Sequence, residues 1–303
     1  MRSSPRAFGM VALLAAAVAV AAGITPWEVG AQELDAPRPI DARESLWTEE
    51  LTWMEVRDKV ADGWTTVIVG TGGVEQNGPY LVGGKHNLVL ETVLPEIARE
   101  IGQALLAPVV KFVPEGPIAP EPGGHMRFPG TISVEPETFQ RLLSDIARSY
   151  AAHGFTDIVL IGDSGGNQEG MAAVAEALNE QWIAAGSKAR VHYLPEYYRE
   201  DVWSYDFLKE QGITQIDETP GAERDRPTAT RNGMHDDIYY TAQMAVQDPN
   251  AVRWEERGRA GLRSLHGVDL EPLDALVTLG REMARYRAEI TARAFRSSVE
   301  RLR

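Results

Sequence analysis

Apolar and polar positions along this 303-residue chain follow two rhythms, and the change from one to the other marks the predicted elements. Leu51 to Asp62 has helical spacing. Thr66-Val67-Ile68-Val69-Gly70 is a β-branched run ending in glycine, the pattern of a buried strand that opens into a loop. Asn87 to Ile101 places Leu90, Val93, Leu94 and Ile97 on one helical face, and Leu105 to Val113 reads as a second strand. Residues 114–130 carry five prolines and form a long loop, a length usually tied to function. Pro136 suits the first turn of a helix whose Phe139, Leu142, Leu143, Ile146 and Tyr150 share a face, with Gly154 as its stop. Asp157 to Ile161 is the next strand, Gly162 to Gly166 a turn, Gln168 to Trp182 a helix and Arg190 to Leu194 another strand. Residues 197–232 read as an irregular surface excursion. From Pro272 to Arg303 runs a long amphipathic helix with Leu273, Leu276, Leu279, Met283, Tyr286, Ile290 and Phe295.

Strands alternating with helices predict an α/β fold, with a mostly parallel sheet covered on both faces. Ligands of such sheets bind beyond the carboxyl ends of the strands, which points to the loops around 70–86 and 162–167. The first 31 residues are of another kind. Arg2 and Arg6 precede an apolar run from Ala7 to Gly23, and Val29-Gly30-Ala31 suits cleavage before Gln32. The expected organisation is a signal peptide (1–31), an arm (32–48) and one α/β domain (49–303) that includes the long terminal helix. The expected location is the periplasm or the outside of the cell, with no stable membrane association after cleavage.

A formal charge of −14 argues against a nucleic-acid partner, which needs clustered Lys and Arg. With no cysteine, disulfides, thiolate metal sites and lipidation at cysteine are excluded.

Three loops bring donor side chains to the predicted site. The first contains Glu75, Gln76, Asn77 and, after Gly83-Gly84-Lys85, His86. The second is Gly162-Asp163-Ser164-Gly165-Gly166-Asn167, and the third Gly233-Met234-His235-Asp236-Asp237. Taken singly, Glu75 reads as a capping or surface acid and His86 as an ordinary imidazole before either reads as a ligand. Gly162-Asp163-Ser164-Gly165-Gly166 also fits the spacing of a serine-nucleophile turn, which would need a later acid and His235 or His266.

Taken together, these segments resemble the creatininase family. Thr71-Gly72-Gly73-Val74-Glu75-Gln76-Asn77-Gly78-Pro79 is similar to its Gly-Ser-Thr-Glu-Gln-His-Gly-Pro signature. His125-Met126-Arg127-Phe128-Pro129-Gly130-Thr131-Ile132-Ser133 is similar to its His-x-x-Phe-Pro-Gly-Thr-Ile-Ser segment. Gly162 to Asn167 stands where the family has Asn-Gly-His-Gly-Gly-Asn. The resemblance covers about residues 50–255. It implies a three-layer α/β/α fold, often homo-oligomeric, hydrolysing C–N bonds of small, possibly cyclic amides with divalent metal. The ligand pattern departs from the family: Asn77 replaces a histidine, His86 a bridging aspartate, and Asp163-Ser164 a Gly-His pair. The resemblance then implies a metal set of Glu75, His86 and Asp163 for one or two Zn, Mn or Fe ions. His235 or Asp237 would move the water proton, and His125 would hold the substrate with Arg127 as an anion clamp. Gln76, Asn77, Ser164 and Asn167 would support ligands or substrate. The alternatives are a non-catalytic small-ligand binder on the same fold, or a lactone or ester hydrolase using the same site.

Overall fold

A computed structural model describes residues 34–198, 200–212, 236–265 and 268–303. The chain divides into a short amino-terminal unit ending at Ala42 and a main unit, Arg43–Arg303. The predicted signal peptide lies outside the described residues. Among those described, no helix is long and apolar enough to cross a membrane.

The centre of the main unit is a four-stranded parallel sheet. It is formed by β1 (Thr66–Thr71), β2 (Ala104–Leu106), β3 (Asp157–Gly162) and β4 (Arg190–Tyr193), in the order β2-β1-β3-β4. Thr66 pairs with Ala104 on one side and Asp157 on the other, and Asp157 pairs in turn with Arg190. The predicted strands hold, except that β2 is shorter than Leu105 to Val113. Beyond Leu106 the regular ladder gives way to isolated contacts. Only Ala107 and Val110 still donate to β1, to Ile68 and Gly70 at 2.9 Å each.

Successive strand residues point to opposite faces. Val67, Val69, Ile158 and Leu160 therefore join one core, with α3 (Pro136–Ala152) and α4 (Gln168–Ala184). Ile68, Val159 and Ile161 join the other, with α2 (Lys85–Ile101), α6 (Ile238–Gln247) and α8 (Leu273–Leu302). The result is the expected three-layer α/β/α arrangement. Helix α1 (Trp53–Ala61) begins in a capping box, where Thr52 and Glu55 satisfy each other's backbone amides. Leu90, Val93, Leu94 and Ile97 of α2 are wholly buried, as their spacing predicts. Leu142 of α3 departs from its predicted face and is exposed.

The segment predicted as irregular after residue 197 contains a helix, α5 (Glu200–Glu210), with Phe207 and Leu208 in the core. Residues 213–235 lie outside the described ones. The remaining elements are α7 (Trp254–Ala260) and the small ribbon of β5 (Ser264–Leu265) with β6 (Val268–Asp269).

Candidate functional site

The loops after β1 and β3 meet at the carboxyl end of the sheet, and polar side chains tie them together. Asn167, fully buried, donates its amide to the carbonyls of Thr71 and Gly72 at 3.0 and 2.9 Å. Asn87 clasps Gly73 from both sides, donating to its carbonyl at 2.9 Å and accepting its amide at 3.2 Å. Gly73 has a φ of 153°, and a Cβ there would collide with the Glu115 carboxyl. The glycine therefore lets Glu115 approach from the proline-rich loop.

Around this junction runs a buried chain of charges. Glu75 Oε1 lies 3.0 Å from His86 Nε2 and 3.1 Å from Lys85 Nζ, while Glu75 Oε2 lies 3.2 Å from His125 Nε2. The other edge of His86 continues the chain, with Nδ1 2.8 Å from Asp163 Oδ2. Asp163 Oδ1 accepts from the Tyr197 hydroxyl at 2.9 Å and faces the Arg287 guanidinium at 3.0 Å. Lys85 also packs its ammonium over the Tyr240 ring at 3.9 Å, and Arg287 stacks on Tyr197 at 3.7 Å. Lys85 and Arg287 are each only 1% exposed, so two basic side chains stand buried against two buried carboxyl groups.

Proton affinities follow from this setting. Burial pushes the Glu115 carboxyl up to about 9, and the neighbouring Glu75, to which it is hydrogen-bonded, adds to the shift. Glu115 therefore keeps its proton at neutral pH. Burial of Asp163 acts to raise its pKa, but Arg287, His86 and Tyr197 outweigh it and hold the group below the usual carboxylate range. Burial lowers His125, with Glu75 opposing in part.

Glu75, Lys85, His86, Glu115, His125 and Ser164 line one cavity of about 440 Å³, walled further by Tyr198, Tyr239 and Tyr240. That volume suits a small molecule or a chain end.

The sequence-predicted residues fare unequally. Glu75, His86 and Asp163 do converge, but the two carboxylates sit at opposite edges of the imidazole. Its ring nitrogens point apart, so no single ion touches all three as arranged. Among the described residues no group of three His, Asp or Glu side chains could hold a metal ion. The donor set, with Lys85 already on Glu75, does not fit the implied ion. Asn77 turns its amide to the carbonyls of Glu75 and Val82, at 3.0 and 3.3 Å, and so braces the loop rather than entering the cavity. The Gln76 side chain accepts from the Gly78 amide at 3.1 Å and closes a turn. Arg127 is exposed and is not among the cavity walls, which leaves the anion clamp without support. Asp237 is buried at the start of α6, likewise outside the walls, and Asp236 beside it pairs with Arg257 at 2.7 Å. His235 and His266 lie outside the described residues. Lys85, Glu115, Tyr197, Tyr240 and Arg287 carry no site role in the sequence reading. A lysine directly before His86, and an arginine four residues after Met283 on the apolar stripe of α8, were the available signals.

A family model described as creatininase, creatinine amidohydrolase, matches residues 49–288. A creatinine amidohydrolase of Pseudomonas putida is 27% identical over 171 residues, 56% of this chain and 62% of its own length. A mycofactocin precursor peptide peptidase of Mycolicibacterium smegmatis is 30% identical over 125 residues, 40% of this chain and 47% of its own length. The chain thus spans about half to just under two thirds of these relatives. Among solved structures, one titled "Creatininase Mn" has 22% identity and a TM-score of 0.56, covering 85% of this chain and 98% of its own. A mutant creatininase complexed with creatine has 20% identity and a TM-score of 0.58, with the same two coverages. A mutant of Zn-Zn type has 21% identity and a TM-score of 0.57, covering 86% of this chain and 98% of its own. At these identities the structures show a shared fold.

Proposed function

This chain belongs to the creatininase family, and on that premise we propose that it hydrolyses an amide C–N bond of a small molecule or short peptide end in the 440 Å³ cavity. The observation that carries the reading is the meeting of two buried carboxyl groups, Glu75 and Glu115, with the Lys85 side chain on one cavity wall. Burial that raises a carboxyl's pKa suits it to act as an acid. Glu115 keeps its proton up to about 9 and is the general acid for the leaving nitrogen. The Glu75–His125 pair accepts the proton of the attacking water. The Lys85 ammonium offsets the negative charge that grows on the carbonyl oxygen. Ser164 and the tyrosines shape the space around the scissile bond. Both named relatives support the reaction class, one an amidohydrolase and the other a peptidase. The metals in the titles of solved relatives are not carried over, since the donors here do not fit them.

The test is a panel of cyclic amides, linear amides and dipeptides, scored by release of amine, with lactones and esters alongside. Turnover of at least one amide, cut roughly 10²- to 10⁴-fold by Glu115→Gln, is the expected outcome. Ligand binding with no turnover of any substrate would favour the non-catalytic binder. Export rests on residues 1–31 alone, and amino-terminal sequencing of the mature protein should begin at Gln32.

A further inference from the structure

We infer that Lys85 is the resident cation of this site and keeps divalent metal off Glu75. The inference rests on the geometry of the cavity described above and not on its turning over a substrate. Any ion bound in the implied place must reach Glu75 Oε1, the oxygen that His86 Nε2 faces at 3.0 Å. That same oxygen already holds the Lys85 ammonium at 3.1 Å. Lys85 cannot readily leave. Its stem starts in the first turn of α2, its side chain is 1% exposed, and the Tyr240 ring closes the far side of the ammonium at 3.9 Å. A buried ammonium separated from its carboxylate would lose both solvent and partner, so it stays paired. A divalent ion on the same oxygen would lie directly against this buried charge, where like charges repel.

The rest of the chain of charges is consistent with a site that is complete without metal. Arg287 faces Asp163 at 3.0 Å as Lys85 faces Glu75 at 3.1 Å, and the two ring nitrogens of His86 lie 2.8 and 3.0 Å from the same two carboxyl groups. The exchange of family ligands for Asn77, His86 and Ser164 then follows a single logic. Once a side chain supplies the cation, the positions that would have held an ion are free for other contacts. Asn77 uses that freedom to brace its loop.

The experiment is elemental analysis of purified protein from cells supplied with Mn and Zn, followed by calorimetric titration with ZnCl₂ and MnCl₂. Wild type is compared with Lys85→Met, which keeps the length and drops the charge, and with Lys85→Arg, which keeps the charge. Folding is verified by circular dichroism. Wild type and Lys85→Arg are expected to hold less than about a tenth of an equivalent, and Lys85→Met to take up measurably more than either, on the freed Glu75 oxygen. Stoichiometric metal in wild type that is lost in Glu75→Ala overturns the inference. So does a folded Lys85→Met that is as metal-free as wild type. Should Lys85→Met not fold, the wild-type melting temperature decides. No response to Zn, Mn or a chelator supports the resident cation, and a rise with metal that the chelator reverses overturns it. Absence of turnover with a metal-free wild type would sink the hydrolase reading and leave this one standing.

Discussion

Glu115 is where a single residue governs both chemistry and stability. Its carboxyl rises from an ordinary 4.5 to about 9, so between those values the folded chain binds a proton that the unfolded chain releases. The sign follows: its contribution to stability is complete below 4.5 and is lost as pH climbs toward 9. The melting temperature of wild type should therefore slope downward across that range, and Glu115→Gln should flatten the slope, becoming the more stable form at alkaline pH. Melting curves at a series of pH values read this directly. Activity should fall off near pH 9 as the general acid is lost. It should persist below the usual imidazole range on the acid side, because His125 is held low by burial. Little of this was legible in the sequence. Glu115 sits in a loop of prolines and glycines with no periodicity to orient it, and only the contact across Gly73 reveals its burial. Lys85 was hidden by the general rule that lysines are solvated. His86, Glu75 and Asp163, by contrast, were marked by their places at the ends of predicted strands and loops.

Helix α8 illustrates what the element scale adds. Its large apolar residues predicted an amphipathic helix, and Leu276, Met283 and Phe295 are buried as expected. The face that packs closest is nevertheless built from small residues four apart, Gly280, Ala284, Ala288 and Ala292. At Gly280 a Cβ would meet the carbonyl of Ala242, so α6 approaches as nearly as its backbone allows. Gly280→Val should destabilise the protein by about 1–3 kcal/mol through overpacking, visible as a lower denaturant midpoint at unchanged slope. A midpoint equal to that of wild type would contradict so close a crossing. The strands were legible because their β-branched runs are bounded by glycine. The shortened β2 was not, because its continuous apolar run does not show where pairing with β1 ends. Helix α5 was missed because its polar and aromatic residues lack a clean stripe. Its Phe207 and Leu208 gain their role from the surfaces they meet.

At the scale of the whole molecule, the charge chain ties the carboxyl-terminal helix to the sheet's functional edge. Arg287 of α8 reaches Asp163 in the loop after β3 and donates to the Tyr197 carbonyl at 3.0 Å. Arg287→Met should leave Asp163 buried without its main cation and cost about 3–5 kcal/mol. Loss of turnover should accompany the loss of stability, since Asp163 also holds His86. Measuring both in one variant tests whether the fold's last element completes the site. The central claim is that this cavity breaks amide bonds with the chain's own acid, base and ammonium. The most direct measurement is amide turnover by chelator-treated wild type beside Glu115→Gln under the same conditions. The account predicts undiminished turnover in the first and a loss of roughly 10²- to 10⁴-fold in the second. Turnover that vanishes with the chelator and returns with Zn or Mn, or a Glu115→Gln variant as active as wild type, would contradict it.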